Sequence, residues 1–353
     1  DTIYVVVKKT EIGKIKDILL WNAHFILRKE SFIIIIWQFI EIWEINCYNL
    51  YEFAPFRENK GVKMKKLGIV LLSTAILLTG CAANQKSNTS ASSSEAKTSL
   101  SASDQKALDK ATAEYKAFVQ KEIDQLLTDT EKFRDTLKEG KLDEAKKMYP
   151  LIRMSYERSE PIAESFGESD VKIDFRLADY VDENKTEEGW SGFHRIEKIL
   201  WETNTTAGTE KYADQLVNDI KELKAKIATV EVTPDIMLTG AVDLLNEVAT
   251  SKITGEEEIF SHTDLYDFRA NIEGAEKIFE LFKPLIQDKD EKLVKTLELE
   301  FKNVNSLLDK HMTDSENYKL YTELTKEDTK ELAEAVTKLG EPLSQMGVIL
   351  DGE

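Results

Sequence analysis

Apolar residues between Leu108 and Leu350 recur mostly every third to fifth position, the spacing that gives a helix one buried face. The first stripe runs through Leu108, Ala111, Tyr115, Phe118, Ile123, Leu126, Thr130, Phe133 and Leu137 and stops at Gly140. A second starts near Leu142 and passes Tyr149, Ile152 and Tyr156 to Phe166-Gly167, with Pro150 and Pro161 as expected kinks or breaks. Residues 168–188 carry no stripe and read as a polar loop. Trp190 to Trp201 predicts a short helix, and Tyr212, Leu216, Ile220, Leu223 and Ile227 another. Thr233-Pro234 supplies a cap and a first-turn proline for a helix through Ile236, Leu238, Val242, Leu245 and Val248. Stripes from Leu265 to Phe282, Leu293 to Leu308 and Ala333 to Leu350 complete the pattern. Strand-like alternation and a heptad register are both missing from this part, so the expected fold class is all-α, with sites between facing helices of one or two bundles.

The pattern changes upstream. Met64-Lys65-Lys66, an apolar run from Leu67 to Leu78 and Leu78-Thr79-Gly80-Cys81 are the parts of a secretory signal peptide ending in a lipobox. The expectation is a signal peptide over 64–80 and a mature protein that begins at Cys81, whose thiol carries a diacylglycerol with palmitate-type acyl chains. The apolar run is too short to stay as a spanning helix. Residues 1–63 read as an upstream extension outside the mature protein. A second membrane segment over Phe25–Ile45 competes with that reading, although Arg28, Lys29, Glu30, Glu41 and Glu44 interrupt it. From Ala82 to about Ser103 the chain is Ser, Ala, Thr, Asn and Lys, a composition that predicts a tether holding the following domain, 104–353, off the membrane. The expected location is the extracytoplasmic face of the cell membrane, through a lipid anchor.

Charge narrows the function further. The whole chain has a net charge of −18, and residues 1–80 hold 11 Lys and Arg against 8 Asp and Glu, which leaves a net of −21 downstream. Nucleic acid is therefore a poor partner, and cation capture is favoured. Cys47 and Cys81 are the only cysteines, so the exported domain has no disulfide and stands by packing.

Candidate chemistry is concentrated in a few segments. His194-Arg195-Ile196-Glu197 places an imidazole and a carboxylate on one helix face, a pairing used by zinc and iron sites but also common as an ordinary surface pair. Gly192-Phe193 and Ile199-Leu200-Trp201 surround it with apolar bulk, which argues for burial and for a partner that offsets the carboxylate's desolvation. Gly255-Glu256-Glu257-Glu258 to Ser261-His262-Thr263-Asp264 interleaves acids with aromatics, though a solvated acidic helix start has the same composition. Tyr156-Glu157 to Glu160-Pro161 and Asp170 to Arg176, each in isolation, suit a structural role.

Taken in order, Arg153, Tyr156, Glu160-Pro161-Ile162-Ala163-Glu164, Asp174 with Arg176, Gly192 to Lys198, Gly255-Glu256-Glu257, Ser261 to Leu265, Asp267-Phe268, Asn271 and Gly274 resemble the imelysin-type, peptidase-like domain of the EfeO and EfeM iron-uptake lipoproteins. The resemblance implies a two-lobed helical bundle with a cleft between the lobes. It assigns the metal-binding His-x-x-Glu motif to His194 and Glu197, and further acidic ligands to Glu160, Asp174 and, from the opposite lobe, Glu257, with Glu157, His262 and Asp264 as possible additions. A Ser-rich tether stands where EfeO carries a cupredoxin domain, so the short EfeM form is expected, without copper. The implied cargo is iron, ferrous or ferric, with zinc as a possible substitute. The implied partners are an EfeU-type permease and an EfeB-type haem peroxidase.

Two other classes fit less well. A helical zinc peptidase of the familiar kind needs His-Glu-x-x-His, which the chain lacks. A ferritin-type di-iron oxidase needs paired Glu-x-x-His motifs, also missing from the mature part. The expectation is a binding protein rather than an enzyme, with a metal-dependent peptidase as the alternative.

Overall fold

Each long stripe folds into a helix whose ends differ from those of the stripe by at most seven residues. In the computed structural model, which describes residues 101–350, α1 spans Ala102–Lys138 and α2 Leu142–Ala163. The extension, the signal peptide, Cys81 and the tether up to residue 100 lie outside the described residues. Ser101 Oγ accepts from the Asp104 amide to start α1, and Gly140, at φ 75°, turns the chain into α2. Pro150 and Pro161 both lie inside α2, on its buried face, and the helix runs on past both.

The expected polar loop at 168–188 is the main correction. It holds two short helices, α3 over Gly167–Ile173 and α4 over Leu177–Asn184. Each is about two turns long, too short for a 3.6-residue period to register in sequence. Tertiary contacts hold α3 in place: the Tyr156 hydroxyl donates to Asp170 (2.5 Å) and Lys226 Nζ to Ser169 Oγ (2.7 Å).

The chain continues through α5 (Phe193–Glu202), α6 (Glu210–Thr229), α7 (Pro234–Thr250), α8 (Asp264–Gln287), α9 (Glu291–Asp309) and α10 (Lys326–Leu350). Thr233 caps α7 through its side chain, as expected. Among the described residues there is no strand, only a single antiparallel bridge between Met312 and Tyr318. None of the described helices is long and apolar enough to cross a membrane.

The helices form an N-terminal set (α1, α2, α3, α5, α6) and a C-terminal set (α7 to α10), joined chiefly where α2 lies along α8. One continuous core runs through both, from Leu108 to Leu350. Its large buried side chains, among them Tyr115, Phe133, Phe193, Phe282 and Phe301, each contribute on the order of 1.5–3 kcal/mol by leaving water. At the seam α7 comes close enough to the end of α2 that a Cβ on Gly240 would lie 2.0 Å from the Pro161 carbonyl oxygen, so only glycine fits there. That contact fixes the approach of the two helix sets beside Glu160.

Candidate metal centre

Periodicity on α2 aligns Arg153, Tyr156, Glu157 and Glu160 on one buried face. Four other segments converge on it: Asp174, which caps the C-terminus of α3, the start of α5, the turn from Gly255 to His262, and the first turns of α8. The join between α3 and α5 is tight. Trp190 Nε1 donates to the Phe175 carbonyl (2.6 Å) and Ser191 Oγ to that of Lys172 (3.2 Å). Gly192 sits at φ 89° with the Ile173 carbonyl oxygen 2.4 Å from where a Cβ would be, so a side chain there would push His194 away from Asp174.

His194 is the centre of the cluster and is 1 % exposed. Its Nδ1 is 3.1 Å from Glu197 Oε2, and Glu197 Oε1 accepts from the backbone amides of Phe260 (3.0 Å) and Ser261 (2.7 Å). Both oxygens of Glu197 are therefore engaged, and the ring is locked in orientation. Its other nitrogen, Nε2, has no hydrogen-bond partner, and faces Asp174 Oδ1 at 3.6 Å and Glu257 Oε1 at 3.7 Å. Asp174, His194 and Glu257 thus offer one imidazole nitrogen and two carboxylate oxygens close enough to share an ion. A second such grouping, His194 with Glu197 and Glu258, lies on the Nδ1 side. Burial and Arg153 favour the neutral ring, but the contact with Glu197 and the nearby charges of Glu257 and Asp174 outweigh them and raise the His194 pKa to about 9.

The other expected residues divide by place. Glu160 lies at the inner edge of the cleft and is held by Lys252 and Asn271. Glu157 lies one turn deeper, bonded to Arg153 (2.5 Å). Asp264 turns inward and accepts from the Glu258 amide (3.2 Å), with its Oδ2 unpartnered. His262 is partly exposed, at φ 59°, and stands outside both groupings.

Two cations dominate the electrostatics: Arg153, to which the sequence reading gave no role of its own, and Lys252, which it did not single out at all. Eight carboxylates, Glu157, Glu160, Asp174, Glu197, Glu257, Glu258, Asp264 and Asp267, are buried here against two fixed cations, Arg153 and Lys252. Arg153 contacts Asp174, Glu157, Glu257 (3.6 Å), Glu258 and Asp267 (3.4 Å). Lys252 reaches Glu157 (3.0 Å), Glu160 (3.0 Å) and Glu257 (3.8 Å). Two cations do not neutralise eight acids, so burial pushes Glu258 and Asp267 well above the carboxylate range, with Glu197 raising the first and the Glu157 and Glu258 charges the second. Glu257 moves the other way: burial opposes its charge, but Lys252, His194 and Arg153 hold it ionised.

The cluster opens to solvent through a cleft of 260 Å³ lined by Glu160, Glu164, Asp170, Asp174, Phe175, Arg176, Asp179, Glu183, Glu247 and Glu257. The first helix set and the α3–α4 segment supply most of this lining, and Glu247 and Glu257 come from the second set. Burial and the charge of Asp174 lift Asp170 to a pKa of about 7. A larger groove of 550 Å³, bordered by Leu151, Met154, Arg269 and Tyr318, shares no residue with the cleft.

Comparison with known proteins agrees with this architecture. Residues 111–346 match the family model described as Imelysin. A protein called Efem/EfeO family lipoprotein from Staphylococcus haemolyticus (strain JCSC1435) is 51 % identical over 289 residues, 82 % of this chain and 100 % of the relative. A protein of the same name from Staphylococcus aureus (strain MSSA476) is 52 % identical over 245 residues, 69 % of this chain and 86 % of its own length. With an imelysin match over most of its helical part and relatives of this identity along their whole or nearly whole length, the chain belongs to the imelysin family and, within it, to the EfeM/EfeO family lipoproteins.

Proposed function

We propose that this protein is the iron-binding lipoprotein of an uptake system, taking a single iron ion at His194 Nε2, Asp174 and Glu257 and passing it to an EfeU-type permease. The observation that carries this reading is the fully buried, unpartnered Nε2 of a ring locked from behind, aimed at two carboxylates at the inner end of an acidic cleft. Locking of one imidazole nitrogen so that the other meets a cation is the usual outer-shell arrangement of metal-binding histidines. In this reading Glu197 orients the ring, Glu160 and Glu157 supply negative field, and the acids of the cleft mouth concentrate cations before they reach the inner ligands. One imidazole with carboxylates suits iron in either oxidation state and admits zinc.

The test is metal analysis of the purified protein, with competition among ferrous, ferric, zinc and copper ions. Retention of about one iron per chain is expected. Predominant copper with iron excluded would overturn the reading. The family's peptidase label gives the alternative of metal-dependent hydrolysis. Peptide cleavage that a chelator abolishes would establish it in place of simple binding.

The export arrangement belongs to the same proposal: signal peptide 64–80, lipidation at Cys81, and a tether that keeps the domain at the extracytoplasmic face beside the permease and an EfeB-type haem peroxidase. Expression from Met64 should give a protein that fractionates with membranes. Cys81→Ser should move it to the soluble fraction or leave it unprocessed, and a variant that stays anchored and processed would remove Cys81 from this role.

A further inference from the structure

Lys252 occupies a position with few precedents for a lysine. It is 1 % exposed, and its ammonium lies 3.0 Å from Glu157 Oε2 and 3.0 Å from both Glu160 oxygens. Those carboxylates belong to α2, whereas Lys252 opens the short turn Lys252–Thr254 that leads from α7 to Glu257. Asn271 closes the group from α8: its Nδ2 donates to Glu157 Oε2 (2.9 Å) and Glu160 Oε2 (2.7 Å), while its Oδ1 is buried without a partner.

Two carboxylates converging on one positive charge, tied together by the Asn271 amide, supply oxygen donors of the kind that hard divalent cations take. Here the positive charge is the protein's own. Burying an ammonium needs paired, hydrogen-bonded acids, and an aliphatic residue would fill this volume without that requirement.

We propose that Lys252 is a resident cation that fills a second ion site, so that the cleft accepts one metal ion at His194 and no second ion at Glu157 and Glu160. The inference rests on the iron-binding reading for the first site but concerns the second alone. Lys252 is then a specificity-determining residue. It sets the number of ions bound.

The experiment counts ions by equilibrium dialysis of the full mature protein against Mn2+. The wild type should bind one ion per chain and Lys252→Met two, a gain that a purely structural ion pair would not produce. Lys252→Arg, which keeps the charge, should remain at one. In the Lys252→Met background, His194→Ala should return the count to one and Glu160→Gln should remove the added ion. A folded Lys252→Met protein that binds no more Mn2+ than the wild type overturns the proposal. A wild type that binds none, with Lys252→Met binding one, refutes the primary site and leaves the resident-cation role standing. If Lys252→Met is unfolded in metal-free buffer, recovery of its helical signal on adding Mn2+ supports the proposal, and failure to recover at saturating Mn2+ overturns it.

Discussion

Arg153→Met is expected to cost about 3–5 kcal/mol of folding stability, the range for removing one partner from a buried ionic group. For a domain of this size that is a fall in Tm of roughly 6–20 °C. The reason is the number of acids that depend on one guanidinium. Arg153 is wholly buried and touches carboxylates from α2 itself, the end of α3, the Glu257–Glu258 turn and the first turns of α8. Its loss leaves Asp267 without its cation and Glu258 with only the His194 ring beside it, and removes the link that pulls four segments together. The methylene stem matters less, since methionine replaces most of its volume. Arg153→Lys should lie between the two proteins, because one ammonium cannot span the fork that a planar guanidinium presents. Thermal unfolding in metal-free buffer measures the effect, and a Tm within 2 °C of the wild type for Arg153→Met would show that the carboxylates neutralise themselves by protonation.

How much of this was legible beforehand depends on which physical signal each feature leaves in the chain. Long helices leave a periodic one, so α1, α6, α7, α8, α9 and α10 could be read from apolar stripes, and Thr233-Pro234 marked the start of α7 to the residue. The helices α3 and α4 leave almost none. They are short, largely polar, and held by Tyr156, Lys226 and the cap at Lys185, whose positive φ ends α4. The segment that carries Asp174 for that reason reads as a loop in the sequence.

The site shows the same division between residue type and environment. His194, Asp174 and Glu257 stand out because histidine is rare in this chain and acids flank apolar residues. The His-x-x-Glu spacing puts Glu197 beside His194, but it does not say which ring nitrogen the carboxylate meets. The structure places it on Nδ1, with its other oxygen taken by the Phe260 and Ser261 amides. Arg153 appeared in the sequence only as part of a family pattern, although its i,i+4 relation to Glu157 was available. Lys252 left no signal at all, since lysine is the residue least expected inside a protein and nothing in Ser251-Lys252-Ile253-Thr254 marks it as buried.

His194→Ala is expected to abolish metal-dependent stabilisation. With iron at a hundredfold excess over its dissociation constant, the wild type should gain about 2.7 kcal/mol, which corresponds to a rise in Tm of roughly 5–11 °C. Nε2 is the only nitrogen in the donor set, so alanine leaves two carboxylates that Arg153 and Lys252 already engage. Glu197→Gln should behave differently, because it keeps a group beside Nδ1 and removes only the charge that orients and polarises the ring. A loss of about 10–100-fold in affinity is usual for such an outer partner, which at the same iron concentration leaves a gain of about 0.4–1.4 kcal/mol. His311→Ala, at a histidine that belongs to neither grouping, should keep the full rise whatever it does to the baseline Tm. Since removal of a buried imidazole shifts the metal-free Tm by itself, the comparison is between each variant with and without iron. A His194→Ala, Glu197→Ala double variant that retains its iron-dependent rise in Tm would end the assignment of this site.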